Sequence, residues 1–155
     1  MSTWFQNRQK QSLLVLALLM AGLVYVSYCG GPPSAPRERV SAIVDELVSA
    51  AEKKNLGPFK KHLSEEIRDE SGRGKKELLD LLRLIFLRHS KISLTVLSKQ
   101  VEENTNPSIF DVSLSLLMSE SLLPTDRGEF FLTFRKEGDA WRIWALKWGE
   151  GYGFE

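Results

Sequence analysis

The chain is short of several things that would narrow its function. Cysteine occurs once among 155 residues, as Cys29. A single thiol forms no internal disulfide and no thiolate metal cluster, so packing alone must hold whatever domain follows. Histidine occurs twice, as His62 and His89, far apart and without a paired-histidine motif. No metal site and no cofactor are expected from such a set. Charge of one sign is also missing. Lys+Arg number 21 against 20 Asp+Glu over the whole chain, and because residues 1–36 hold only Arg8 and Lys10, residues 37–155 carry 19 against 20. Nucleic acid is not an expected partner, since a binding domain carries a basic excess or stripe. The pairs Lys53-Lys54, Lys60-Lys61 and Lys75-Lys76 lie close to Glu52, Glu65 and Glu77 and read as solvated helix faces. Internal repeats and low-complexity tracts are absent too.

What is present begins with an uncharged apolar run, Leu13 to Tyr28, preceded by Arg8 and Lys10 and followed by Cys29-Gly-Gly-Pro-Pro-Ser-Ala-Pro. As a helix it spans about 24 Å at roughly 1.5 Å per residue, a little less than a bilayer core of ~30 Å. Basic residues before the run and none for eight residues after it favour a cytoplasmic N-terminus and an exported C-terminal part. Trp4, Phe5, Tyr25 and Tyr28 suit the two interfaces. The reading adopted is an uncleaved single-pass anchor in the inner (cytoplasmic) membrane. Residues 1–12 are its cytoplasmic N-terminus, 13–29 the transmembrane or signal helix and 30–36 a stiff linker. The alternative is a lipoprotein anchored at Cys29, because a lone Cys between an apolar run and a Gly/Pro/Ser tether resembles the site where bacterial lipoproteins are cleaved and acylated. Tyr28 departs from that pattern, whose preceding residue is small. Ordinary secretory cleavage is the third fate.

Residues 37–149 are expected to form one domain, with a Gly-rich tail over 150–155. Val40, Ile43, Val44, Leu47, Val48 and Ala51 recur at helical spacing and predict a helix over 37–54. Pro58 suits the first turn of a second helix running to about Arg68. A third helix over 75–89 is apolar around much of its circumference, which predicts burial on more than one side. From Lys91 the period changes to two. Strands are expected at Ile92–Leu97, Phe110–Met118, Phe130–Phe134 and Trp141–Trp148, joined by turns at Asn104-Thr-Asn-Pro, Pro124-Thr-Asp-Arg-Gly and Glu137-Gly-Asp. The expected fold class is α+β: three N-terminal helices packed on a curved four-stranded antiparallel sheet, a cone, preceded by one N-terminal apolar helix.

The helix VSAIVDELVSAAEKKNL, the following GPFKKHLSEEI and the closing EFFLTFRKEGDAWRIWALKW resemble the nuclear transport factor 2-like superfamily, which includes ketosteroid isomerase and the SnoaL-like cyclases. The resemblance covers about residues 38–149. It implies a cone whose concave sheet packs on the long helix, with a pocket that is open at one end in some members, and a habit of sheet-on-sheet dimerisation. Leu117, Phe131, Trp144 and Trp148 would then bury part of the second sheet face in a homodimer. Activities in the superfamily range from isomerases and dehydratases to pure interaction modules, so fold alone assigns no reaction.

Individual residues point the same way. His89 falls at helical spacing from Leu78, Leu82 and Ile85 and is the one candidate for a ligand-binding or acid/base role inside the cone; a position near a helix C-terminus, where positive charge is favoured and carbonyls need donors, is the preferred account of it. His62 with Glu65 and Glu66 reads as a solvated helix face. Asp111 is expected at the surface, opposite Phe110, Val112 and Leu114. No catalytic residue is assigned, and an enzyme is the less favoured class. The expected function is a membrane-tethered, extracytoplasmic, non-catalytic domain binding a protein partner or an apolar small molecule. A cone-pocket isomerase, dehydratase or cyclase is the alternative, and a secretion-system assembly component the third.

Overall fold

A computed structural model describes residues 35–119 and 126–149, all within the unit Ala35–Glu155. The expected cytoplasmic segment, apolar run and most of the linker, with Cys29, lie outside the described residues, as does the tail after Gly149. Among the described residues no helix is long and apolar enough to cross a membrane.

Helix α1 (Pro36–Glu52) starts where Ala35 is still extended, with proline in the first turn where a backbone N–H has no helical partner. Val40, Val44, Leu47 and Ala50 make its buried stripe. It stops at Lys54, which takes a left-handed conformation with φ 53° that glycine usually supplies. The Lys54 ammonium offsets that cost by donating to the carbonyls of His89 and Ser90, the latter at 2.8 Å. Helix α2 (Gly57–His62) is short and opens with Asn55 Oδ1 accepting the Gly57 N–H at 2.9 Å and Pro58 in its first turn.

Here the structure departs from the expected second helix. The chain turns extended at Leu63 and runs as strand β1 (Leu63–Asp69), so Glu65 and Glu66 stand on a strand. Leu63 and Ile67, four apart, satisfy a helical stripe and a strand face equally, and lysine and glutamate around them favour helix locally. Tertiary context decides, because β1 lies parallel to the last strand and pairs Leu63 with Ile143 and Asp69 with Leu146. After helix α3 (Lys75–Arg88) come β2 (Ser93–Glu103), β3 (Ile109–Ser119), β4 (Asp126–Glu137) and β5 (Ala140–Trp148). The sheet therefore has five strands, not four, in the order β1-β5-β4-β3-β2, antiparallel except for the β1–β5 pair. With three helices beside it among the described residues, the domain is an α+β cone.

Two register shifts bend the antiparallel part, one between Val96 and Ser98 and one between Thr133 and Phe134. The second changes which residues of β5 face inward. Phe134 pairs with Ile143 but Leu132 pairs with Leu146 and Phe130 with Trp148, so Trp141, Ile143, Leu146 and Trp148 all point into the cone. Strict alternation puts Trp148 with Trp144 on the outer face, and the bulge corrects that: only Trp144 stays outside, 38% exposed.

Helix α3 is also less buried than its composition predicts. It packs on β1 from its first half and reaches the end of α1 at His89 and Ser90. Only Leu78 and Phe86 are buried, whereas Leu84 is 43% and Leu87 78% exposed. The sheet and α1 meet one side of this helix, and no described element covers the other.

Asp69 organises the turn from β1 into α3. Its side chain is fully shielded from solvent, and Oδ1 accepts the N–H groups of Ser71 at 3.0 Å and Arg73 at 2.7 Å while Oδ2 accepts Arg73 Nε at 2.6 Å. Burial disfavours its charge, but these donors outweigh it and hold the carboxyl below its ordinary value of 3.8. Replacing Asp69 with Ala should cost about 3 kcal/mol, because the Arg73 guanidinium and two backbone donors lose their acceptor. Denaturant titration checks this. The depressed carboxyl also fixes a sign: its stabilisation is complete above the unfolded value near 3.8 and fades as pH falls below it through the folded value. Melting temperature against pH should therefore decline more gently below pH ~4 in Asp69→Asn than in the natural chain.

Candidate functional site

The concave side of the sheet is apolar from edge to edge, and its side chains do not fill the space it encloses. A cavity of about 220 Å³ remains between α1, α3 and the sheet. Its floor is Val44, Leu47, Leu63, Leu114, Leu132 and Ile143; α3 contributes Leu81, Leu82 and Ile85, which are only half-buried and mark its open side. Met118, Phe130 and Trp148, at one end of three adjacent strands, form the far wall, where Phe130 and Trp148 meet edge to face at 5.2 Å. Phe59 and Phe86, 6.3 Å apart, close the corner between α2 and α3.

His89 is the one titratable side chain in this lining among the described residues. It caps α3, its own N–H donating to the Ile85 carbonyl at 3.2 Å, so its backbone finishes the helix while its ring borders the cavity. Both readings of His89 describe part of its position. No carboxylate, phenol or hydroxyl side chain joins it in the lining. Acid/base chemistry on a bound molecule would therefore rest on the one imidazole in the lining.

The other residues singled out in the sequence lie elsewhere. His62 is buried rather than solvated, because it leaves the end of α2 to meet Glu46 of α1, Nε2 to Oε2 2.9 Å. The hydrogen bond from His62, reinforced by its charge and that of Lys61, holds the Glu46 carboxyl below its usual range. Asp111 stands on the outer sheet face, half-buried, accepting from Thr133 Oγ1 at 2.9 Å and Asn104 Nδ2 at 2.8 Å. It bridges strands and faces away from the cavity. Among the described residues no three His, Cys, Asp or Glu side chains gather as metal ligands.

A polar cluster that sequence reading missed ties β1 to the end of β4. Buried Ser64 donates to Glu137 Oε1 at 2.6 Å, and Arg135 bridges Glu66 at 2.7 Å and Glu137 at 3.0 Å with its guanidinium 5.1 Å over the Trp144 ring. The Ser64 hydroxyl and then Arg135 hold Glu137 below the usual range, and the carboxylates of Glu66 and Glu137 raise Arg135 further. All these groups are satisfied by one another, which is the arrangement of a structural clasp. No spacing rule brings residue 64 to residue 137.

No protein-family model and no curated protein matches this sequence. Solved structures do match. An NTF2-like protein of unknown function from Pseudomonas putida aligns with a TM-score of 0.66 at 10% identity, over 81% of this chain and 93% of that one. The fold is nuclear transport factor 2-like. A ketosteroid isomerase candidate from Shewanella frigidimarina has the same fold, with a TM-score of 0.58 at 16% identity over 70% of this chain and 92% of that one. Bd1075 of Bdellovibrio bacteriovorus aligns at 0.62 and 14% identity over 76% of this chain, which spans only 41% of that larger protein. At these identities the nuclear transport factor 2-like fold is what is shared, and a fold of this kind hosts unrelated functions.

The two sides of α3 should respond differently to substitution. Leu78→Ala should destabilise the domain by roughly 2–5 kcal/mol, as a large-to-small change in a core does, and Leu87→Ser by no more than about 0.5 kcal/mol. Equal losses in denaturant unfolding would show that Leu87 is covered.

Proposed function

We propose that this protein is a non-catalytic binding module that takes a small apolar molecule into its cone, held outside the cytoplasm by a membrane segment at residues 13–29. The observation that carries the ligand reading is the cavity of about 220 Å³, lined by apolar side chains apart from His89. An apolar void of ~150 Å³ stays dry and accommodates benzene, so this one has room for about nine carbon atoms. A bicyclic aromatic or a medium-length alkyl chain fits that size. Binding would gain roughly 25 cal/mol for each Å² of apolar surface removed from water, with only the His89 ring and the buried indole N–H of Trp148 as polar groups in the lining. The enzymatic alternative rests on His89 alone.

Naphthalene, followed by its own fluorescence, should bind the full chain. Ala51→Phe, which adds a ring to the lining at the end of α1, should weaken binding at least ~10-fold with little change in melting temperature. Unchanged affinity in that variant would remove the cavity as the site. Retention of naphthalene binding in His89→Gln shows that the apolar lining, and not the imidazole, carries the affinity.

The membrane reading is supported by the apolar run with Arg8 and Lys10 before it and the uncharged linker after it. Intact mass of membrane-extracted protein tests it. The full-length mass of 17.6 kDa, within loss of Met1, is expected for the anchor, whereas a chain starting at Cys29 with added acyl groups identifies the lipoprotein. A second copy is the partner proposed for the outer sheet face, where Phe131 is 46% and Trp144 38% exposed. Sedimentation of the full chain in detergent should give a dimer that Phe131→Glu dissociates.

A further inference from the structure

The apolar surface that this domain exposes is concentrated on one stretch. Six large hydrophobic residues are exposed among the described residues, and four of them, Leu84, Leu87, Val96 and Leu97, fall between the second half of α3 and the first half of the edge strand β2. The same stretch is free of acid. From Leu81 to Val101 there are four basic residues, Arg83, Arg88, Lys91 and Lys99, and no Asp or Glu. Arg83 pairs with Asp80 and Lys99 with Asp45, but Arg88 and Lys91 form no ion pair among the described residues and are exposed.

Exposed leucines cost solvation, and two uncompensated cations beside them repel each other. Both features become favourable against one kind of surface, an apolar layer overlaid by negative charge. We propose that the outer side of α3 and the turn into β2 dock on an anionic phospholipid bilayer, with Leu84 and Leu87 entering the acyl boundary and Arg88 and Lys91 among the headgroups. Such a site is a second membrane contact, separate from residues 13–29. The opposite side of the same helix lines the cavity with Leu81, Leu82 and Ile85. Docking would thus lay α3, the half-buried wall of the cavity, against the phase in which apolar ligands concentrate. That last consequence rests on the ligand reading above; the docking itself does not.

The test places an environment-sensitive nitrobenzoxadiazole label at position 87 of the full chain, as Leu87→Cys in a Cys29→Ser background. The chain is mixed with vesicles of pure phosphatidylcholine or of phosphatidylcholine with phosphatidylglycerol. Emission at position 87 should rise about 3-fold with a blue shift on the anionic vesicles only, and Arg88→Glu with Lys91→Glu should abolish the rise. The same label at exposed Asp139 in the turn between β4 and β5 should not respond. No rise at 87, an equal rise on both vesicle types, or an equal rise at 139 would overturn the proposal. So would a rise without vesicles that grows with protein concentration, which would assign the surface to contact between copies. Naphthalene binding in detergent is read separately, so loss of ligand binding with the vesicle response intact would sink the cavity reading alone.

Discussion

The shift in pairing between Thr133 and Phe134 controls more of this domain than any single contact. A strand presents alternate residues to alternate faces, so one extra residue reverses every side chain beyond it. Here the reversal keeps Trp141 and Ile143 inside at one end of β5 and brings Leu146 and Trp148 inside at the other. Without it the cone would lose an aromatic wall and expose two more large side chains on its outer face. The bend that accompanies the shift helps the sheet curve around α1, and curvature creates the interior space.

That space is larger than its side chains fill. The buried cluster is continuous, from Val40 and Val44 through Ile67 to Phe110, Phe134 and Trp141, with Phe110 and Trp141 in edge contact at 5.2 Å. It lies where α1, β1 and the sheet converge. Toward α3 the packing opens, since that helix contributes two buried residues and leaves three others half-covered over the void. The well-packed part supplies stability and the loosely covered part supplies access, a division common in proteins whose binding regions come from their less stable elements.

Much of this was legible in the chain, and the exceptions share a cause. The stripe Val40, Val44, Leu47 and the alternation Phe110, Val112, Leu114 follow from the periods of helix and strand, and each ended up buried. Strand β1 was not legible, because Leu63 and Ile67 fit either period and only their distant partner Ile143 decides between them. Trp148 was misplaced because a bulge leaves no mark in composition. His62 looked solvated because Glu46, its partner, lies sixteen residues back on another helix. The cavity has no signature in the helix and strand periods, and only the family resemblance implies a pocket. Which apolar positions face inward can be read from a pattern, but how completely they fill the volume depends on curvature, which three-dimensional pairing sets. The N-terminal run, by contrast, speaks through its sequence and lies outside the described residues.

The parallel pairing of β1 with β5 has an implication for how the domain assembles. β2 to β5 form a meander of neighbouring strands that can zip from one turn to the next, whereas β1 must find a partner about eighty residues further along. Closing so long a loop costs more entropy than closing any hairpin in the sheet. The edge of β5 that β1 covers therefore stays available until late, and the Ser64–Glu137 and Arg135–Glu66 bonds form only when it is covered. A chain emerging N-terminus first would hold β1 waiting until β5 appeared, so connectivity forbids completion of the sheet before β5 has been made.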